Sequence, residues 1–323
     1  MARNPKLLRL VDRLARRVTR SRVGARASLA GFDGVDDFEV APQVTDARID
    51  NWLDSHYVAI NRAGNTMDRV LLFLPGSFGA PLRQRLIVQL AAWLGFNAIN
   101  LSYPNSWTVG GLCRDTGDHD CHEKVRLEII DGVPRTDLVN MGGSAQSILN
   151  RFGRLLMHLA DERPDEGWAR YLDGSVPRWE SVVVAGHSQG GGHAALLGKL
   201  WPVHRVILLG APADHDRATD SLAPWIGKPG ATPAERYFGF AHRLDQGFER
   251  ICGSWEGLGL AEFGPLANVE EQVPPYGDSR QLVTDASSVG RRYHASVAVD
   301  ASTPVDENGR PQFMPVWKYL LGG

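Results

Sequence analysis

Val182-Val183-Val184-Ala185-Gly186-His187-Ser188-Gln189-Gly190-Gly191-Gly192-His193 is the stretch on which the reading of this chain turns. Four apolar residues in a row fit a strand covered on both faces. The residues from Gly191 to Leu200 then read as a helix, with Ala194 and Ala195 extending the run of small side chains. A serine between such a strand and such a helix sits on a sharp, strained turn, and small residues two before and two after it let the two elements close together. That is the setting in which a serine hydroxyl is presented as a nucleophile; the bland alternative is an ordinary Gly-rich strand-to-helix turn.

Working outward, the chain alternates strand and helix patterns. Tyr57 to Ile60, Arg69 to Leu74, Asn97 to Leu101, Ser181 to Ala185, Arg205 to Leu209, Arg236 to Ala241 and Gln281 to Thr284 read as strands, the last two closing the sheet. Pro81 to Leu94, Ser144 to Asp161 and Phe313 to Leu321 read as helices, the second with Ile148, Phe152, Leu155, Leu156 and Leu159 on one face. Such alternation predicts an α/β fold with a mostly parallel sheet covered by helices on both sides. The stretch from 106 to 143, rich in Gly and acids, reads as an irregular, small lid over the C-terminal edge of the sheet. No composition shift marks a second domain, so 27–323 is read as one unit.

A serine hydroxyl is a weak nucleophile near neutral pH and needs a base and an acid that orients the base. After such a turn the acid comes next in the chain and the histidine last. Of ten histidines, only His204, His215, His242 and His294 follow the turn and its helix. His204 and His215 come too early to follow an acid, and His242 would need Asp214 or Asp216. His294, beyond the last strand pattern, is the expected base. Asp245, just past the strand ending at Ala241, is the expected acid, with Asp216 as rival. Backbone N–H donors are needed for the oxyanion. Gln189 follows the serine directly. In Pro75-Gly76-Ser77-Phe78-Gly79, Pro75 has no N–H, so Ser77 is the expected second donor and Phe78 the alternative. Phe78 and His187 are also candidate substrate contacts. Trp107, Trp225 and Trp255 are candidates for lining an apolar pocket or for the core, and His193 is read as structural.

Over residues 55–321 these pieces resemble the α/β-hydrolase superfamily: the Leu74-Pro75-Gly76-Ser77-Phe78-Gly79 loop, the Gly186-His187-Ser188-Gln189-Gly190 elbow, then Asp245 and His294 in order. The chain is also similar to a little-characterised bacterial subgroup with the Cys113…Cys121 pair, Arg126-Leu127-Glu128 and Thr232-Pro233-Ala234-Glu235-Arg236-Tyr237. The resemblance implies an α/β-hydrolase fold and a serine hydrolase that cleaves an ester or related acyl bond in a small-molecule substrate, with no cofactor. An acyltransferase on the same triad and a non-catalytic binding protein of the same fold are the alternatives.

Composition bounds the rest. The 323 residues are 43% hydrophobic and 22% charged, which excludes a wholly disordered chain, and the net charge of −2 argues against a general nucleic-acid binder. Residues 1–26 hold nine basic side chains against Asp12, a net of +8, leaving −10 for the remainder. Leu7, Leu10, Val11, Leu14 and Val18 follow helical spacing there. That segment is read either as a helix on an anionic membrane surface or as an Arg-rich helix or tail at the end of the body. It has no apolar run of the secretory type, so the expected location is cytoplasmic, with membrane association through that segment the alternative. Cys113 and Cys121 leave three readings open: a disulfide, two reduced thiols, or a zinc site with His119 and His122 whose spacing fits no usual finger.

Overall fold

The computed structural model describes residues 32–216 and 219–322. The basic segment 1–26 lies outside them.

Nine strands form one sheet: β1 Val35–Val40, β2 His56–Asn61, β3 Val70–Leu74, β4 Asn97–Asn100, β5 Val182–His187, β6 Arg205–Leu209, β7 Tyr237–His242, β8 Ala267–Asn268 and β9 Gln281–Thr284. Their spatial order is β1-β2-β4-β3-β5-β6-β7-β9-β8. β2 is antiparallel to both β1 and β4. Every pairing from β4 to β8 is parallel.

Side-chain alternation divides the core into two layers. Val70, Leu72, Leu74, Val182, Val184, Val206 and Leu208 face one side. Leu71, Phe73, Val183, Ala185, Ile207 and Leu209 face the other. Both faces are apolar because both are covered, which is why these strands are unbroken apolar runs. On the first side lie α2 Cys121–Asp131, α3 Ile148–Glu162, α4 Gln189–Leu200 and α5 Phe248–Gly257; on the second lie α1 Arg85–Trp93 and α6 Met314–Leu321. No helix among the described residues is long and apolar enough to cross a membrane.

Three departures from the sequence reading have physical causes. β1 is an edge strand, Val-Asp-Asp-Phe-Glu-Val, mostly exposed or half-buried, so it carries no buried apolar run. Between β7 and β9 in the chain lies the two-residue β8, which pairs only with β9 at the far edge. The stretch 106–143 is not irregular throughout. It holds a short helix, Val109–Leu112, and α2, which packs on α3 and α4. The inward side of α2 carries Arg126 and Glu128 beside Val125, Ile129 and Ile130, so polar residues interrupt its apolar period. Glu128 accepts from the N–H groups of Arg135 and Thr136 and from the Thr136 hydroxyl.

Candidate active site

Parallel strands bring their C-terminal ends to one edge, and the loops after β3, β5, β6, β7 and β9 gather there. Ser188 joins β5 to α4 with φ 55° and ψ −121°, outside the regions that L-residues ordinarily occupy. Its N–H donates to the Leu209 carbonyl at the end of β6 (2.9 Å). The turn survives because its neighbours lack side chains. A methyl group at Gly190 would stand 2.1 Å from the Leu74 carbonyl oxygen. One at Gly186 would stand 2.3 Å from the Gly190 carbonyl.

His294 lies in a short helix, Tyr293–Ser296, beyond β9. Its Nδ1 is 2.6 Å from Asp245 Oδ2, in the loop after β7. The other Asp245 oxygen accepts from the Gly247 N–H (2.8 Å). Burial would raise the Asp245 pKa. The hydrogen bond and charge of His294, with the Gly247 N–H, outweigh it and hold the carboxyl below its usual range. The imidazole lies over Gly210, the residue after the carbonyl that Ser188 binds: a methyl group there would be 3.4 Å from the ring. The His187 and His294 ring centroids are 4.9 Å apart. His294 and Asp245 are therefore paired at the sheet edge where Ser188 turns from β5 into α4, with His187, the residue before the serine, against the imidazole.

The loop after β3 is shaped from the loop after β4. The Tyr103 hydroxyl donates to the Pro75 carbonyl (2.6 Å), and the Asn105 amide donates to the Gly76 and Gly79 carbonyls (2.9 and 2.8 Å). Phe78 has φ 57° and its N–H donates to the Asn105 carbonyl (2.8 Å), so this N–H is already engaged. The Ser77 N–H has no acceptor among the described residues. The Gln189 N–H opens α4, where no earlier helical carbonyl exists to accept it. The Ser77 hydroxyl donates to Gln189 Oε1 (2.9 Å), which also accepts from the Val109 N–H (3.2 Å). Those contacts join the two candidate donors to each other and to the 106–143 segment.

The remaining sequence candidates divide. The Phe78 side chain is 64% exposed beside Ser77. His187 does not face solvent: it is 5% exposed and its Nε2 lies 2.9 Å from the His294 carbonyl oxygen. His193 is fully buried, edge-on to Tyr103. Trp225 and Trp255 are core residues whose N–H groups donate to Asp214 and to the Ala211 carbonyl, which removes them from a pocket lining; Trp107 is half-buried against Trp52. Asp216 contacts His119, whereas the carboxylate on His294 Nδ1 is that of Asp245. Cys113 and Cys121 form a disulfide, which takes both sulfurs out of any zinc set.

A group not anticipated from sequence lies behind the turn. Arg126, on α2, donates twice to Asp214 (2.6 Å each) and once to the Gln189 carbonyl (3.0 Å), with both side chains buried. Burial opposes ionisation of Asp214, but the charge and bonds of Arg126 win and bring its pKa down to about 2. Because this lies below the usual carboxylate value, the pair's contribution to stability is complete above about pH 4 and is lost as the pH falls toward 2. Arg126→Met leaves the Asp214 carboxylate buried without its counter-charge, with the Trp225 N–H still bonded to it. The expected cost is about 3–5 kcal/mol in urea unfolding, with part recovered in Arg126→Met/Asp214→Asn.

No family model matches the sequence, and no curated protein matches it. Among solved structures, the chain is similar to esterase B from Lactobacillus rhamnosis, with 11% identity, 86% of this chain and 81% of that chain covered, and a TM-score of 0.42. It is similar to a thermostable esterase from Pseudomonas putida, with 11% identity, 91% and 82% covered, and a TM-score of 0.43. For a bacterial heroin esterase the values are 17% identity, 84% and 81% covered, and a TM-score of 0.40. The fold is read from the chain's own sheet. With β2 antiparallel beside a parallel block, strand order β1-β2-β4-β3-β5-β6-β7-β9, and a tight serine turn between β5 and α4, the chain has the α/β-hydrolase fold.

Proposed function

We propose that this protein is a serine hydrolase that cleaves an ester or related acyl bond through an acyl-enzyme on Ser188. The observation that carries the reading is the 2.6 Å contact between His294 Nδ1 and Asp245 Oδ2 at the sheet edge where Ser188 turns from β5 into α4. The ionised Asp245 fixes the His294 tautomer with its proton on Nδ1, which leaves Nε2 free to accept the serine proton. Ser188 Oγ attacks the acyl carbon as that proton moves to Nε2. The carbonyl oxygen becomes an oxyanion held by the N–H groups of Gln189 and Ser77. The tetrahedral species collapses as Nε2 returns the proton to the leaving alcohol. Water, deprotonated by the same imidazole, then releases the acid and restores the serine.

The reading requires no metal or organic cofactor. A fluorophosphonate probe tests it: the wild-type protein is expected to be labelled on Ser188, and an intact protein left unlabelled under conditions that label other serine hydrolases overturns it. A panel of esters graded by acyl length then identifies the substrate class.

A further inference from the structure

The segment that carries His294 is weakly held by its own backbone. Between β9 and the helix Tyr293–Ser296 there is only a short turn, Val289–Arg291, with Gly290 at φ 64°. Ser288 is half-buried, and Val289 to Arg292 are exposed. Apart from contacts with its chain neighbours (the Ala286 N–H to Thr284 Oγ1, the Ala295 and Ser296 N–H groups to the Arg292 carbonyl, and the Ser296 hydroxyl to the Tyr293 carbonyl), the hydrogen bonds joining residues 286–294 to the body run, among the described residues, through three side chains. One is Asp245. The other two are His187 and His242.

We propose that His187 and His242 are positioning residues that hold the His294 segment against Asp245, each by donating its Nε2 proton to a carbonyl of that segment. The proposal rests on the serine-hydrolase reading of the site. His242 Nε2 is 2.8 Å from the Ala286 carbonyl oxygen, at the start of the segment, and His187 Nε2 is 2.9 Å from the His294 carbonyl oxygen, at its end. A carbonyl only accepts, so both Nε2 atoms must carry the proton. The His242 tautomer is fixed independently, because its Nδ1 accepts from the Leu244 N–H (3.0 Å). That contact also ties His242 to the turn that bears Asp245. Its ring packs against Tyr293, the residue before the base, with centroids 4.6 Å apart.

His187 sits on the other flank, between Ser188 in the chain and His294 in space. Its Nδ1 faces the loop after β3, where a methyl group on Gly76 would approach it to 3.1 Å. Burial is the main cause, and the neighbouring His294 the second, of a pKa held down to about 3, against the opposing pull of Asp245. The ring is therefore a neutral donor well above pH 3. It adds no charge beside the imidazolium that forms during turnover. Both donors come from the C-terminal ends of β5 and β7, strands paired on both sides within the parallel block.

The test uses phenylalanine, which keeps a ring and removes the donor, and glutamine, whose amide nitrogen replaces Nε2. His187→Phe and His242→Phe are each expected to lower kcat by about 10²-fold, as small misplacements of a reacting group do, with KM changed less than about threefold. The low-field proton resonance of the His294–Asp245 hydrogen bond is expected to broaden or vanish in both. His187→Gln and His242→Gln are expected to recover at least about tenfold in kcat and to restore the resonance. A folded phenylalanine variant with wild-type kcat and an intact resonance overturns the positioning role. If the phenylalanine variants fail to fold, folded glutamine variants that lose about 10²-fold in kcat overturn it instead. Ser188→Ala run in parallel separates the two ideas. If that variant is silent while His187→Phe is fully active, only the positioning role fails; if Ser188→Ala is active, the hydrolase reading itself fails.

Discussion

Ser188→Ala is expected to lower kcat on a responsive ester by about 10⁵–10⁶-fold and to abolish fluorophosphonate labelling, with the fold intact. The size follows from the division of labour. In the proposed mechanism the hydroxyl is the atom that forms the covalent bond, so without it the imidazole has no proton to take. What remains is the residual acceleration that donors such as Gln189 and Ser77 give to attack by water, about 10³–10⁴-fold over the uncatalysed reaction. The turn itself survives the change. It is held by the Ser188 N–H on the Leu209 carbonyl and by the tight contacts of Gly186 and Gly190, none of which needs the hydroxyl. Circular dichroism and the urea midpoint should therefore match the wild type. A variant retaining a tenth of the activity would show that Ser188 is not the nucleophile.

Asp245→Asn is expected to cost about 10⁴-fold in kcat, because it reverses a proton rather than removing a contact. One Asp245 oxygen already accepts from the Gly247 N–H. An asparagine that keeps this bond must turn its NH₂ toward His294 Nδ1. That imposes the tautomer with Nδ1 as acceptor and the proton on Nε2, the atom that should receive the serine proton. The pH dependence has a definite sign. Asp245 is held below its usual range by His294 and Gly247, so it stays ionised, and its stabilising contribution fades only on the acid side. Asp216→Asn, which alters a contact with His119, is the control expected to leave kcat near wild type. If Asp216→Asn is the damaging substitution, the acid has been misassigned.

The elements around Ser188 were legible in the sequence because burial on both sides writes itself as uninterrupted apolar runs. β3, β5, β6 and β9 fall within one or two residues of their expected bounds. The order serine, aspartate, histidine likewise selected Asp245 and His294, and the structure brings those two into contact. What escaped the reading was held by polar contacts or by edges. β1 has one buried residue among its six, and β8 is only two residues long. α2 hides its helical period because Arg126 and Glu128 point inward and find partners there. The Arg126–Asp214 pair joins residues 88 positions apart, and neither residue type announces burial in a sequence. The sequence offers His187 only as a candidate substrate contact. Alternation along β5 turns successive side chains to opposite faces, and its ring meets the His294 segment instead.

The parallel block has a consequence for biosynthesis. Its strand ends gather pieces from Gly76 to His294 at one rim, so the chemistry depends on contacts spanning more than two hundred residues. A nascent chain that has emerged as far as α4 already carries the serine and its turn, yet lacks both the carboxylate and the imidazole. Such an intermediate holds a hydroxyl with nothing to activate it. On the proposed mechanism, turnover is switched on only when the final third of the polypeptide docks, and the appearance of activity during refolding would report the completion of the sheet.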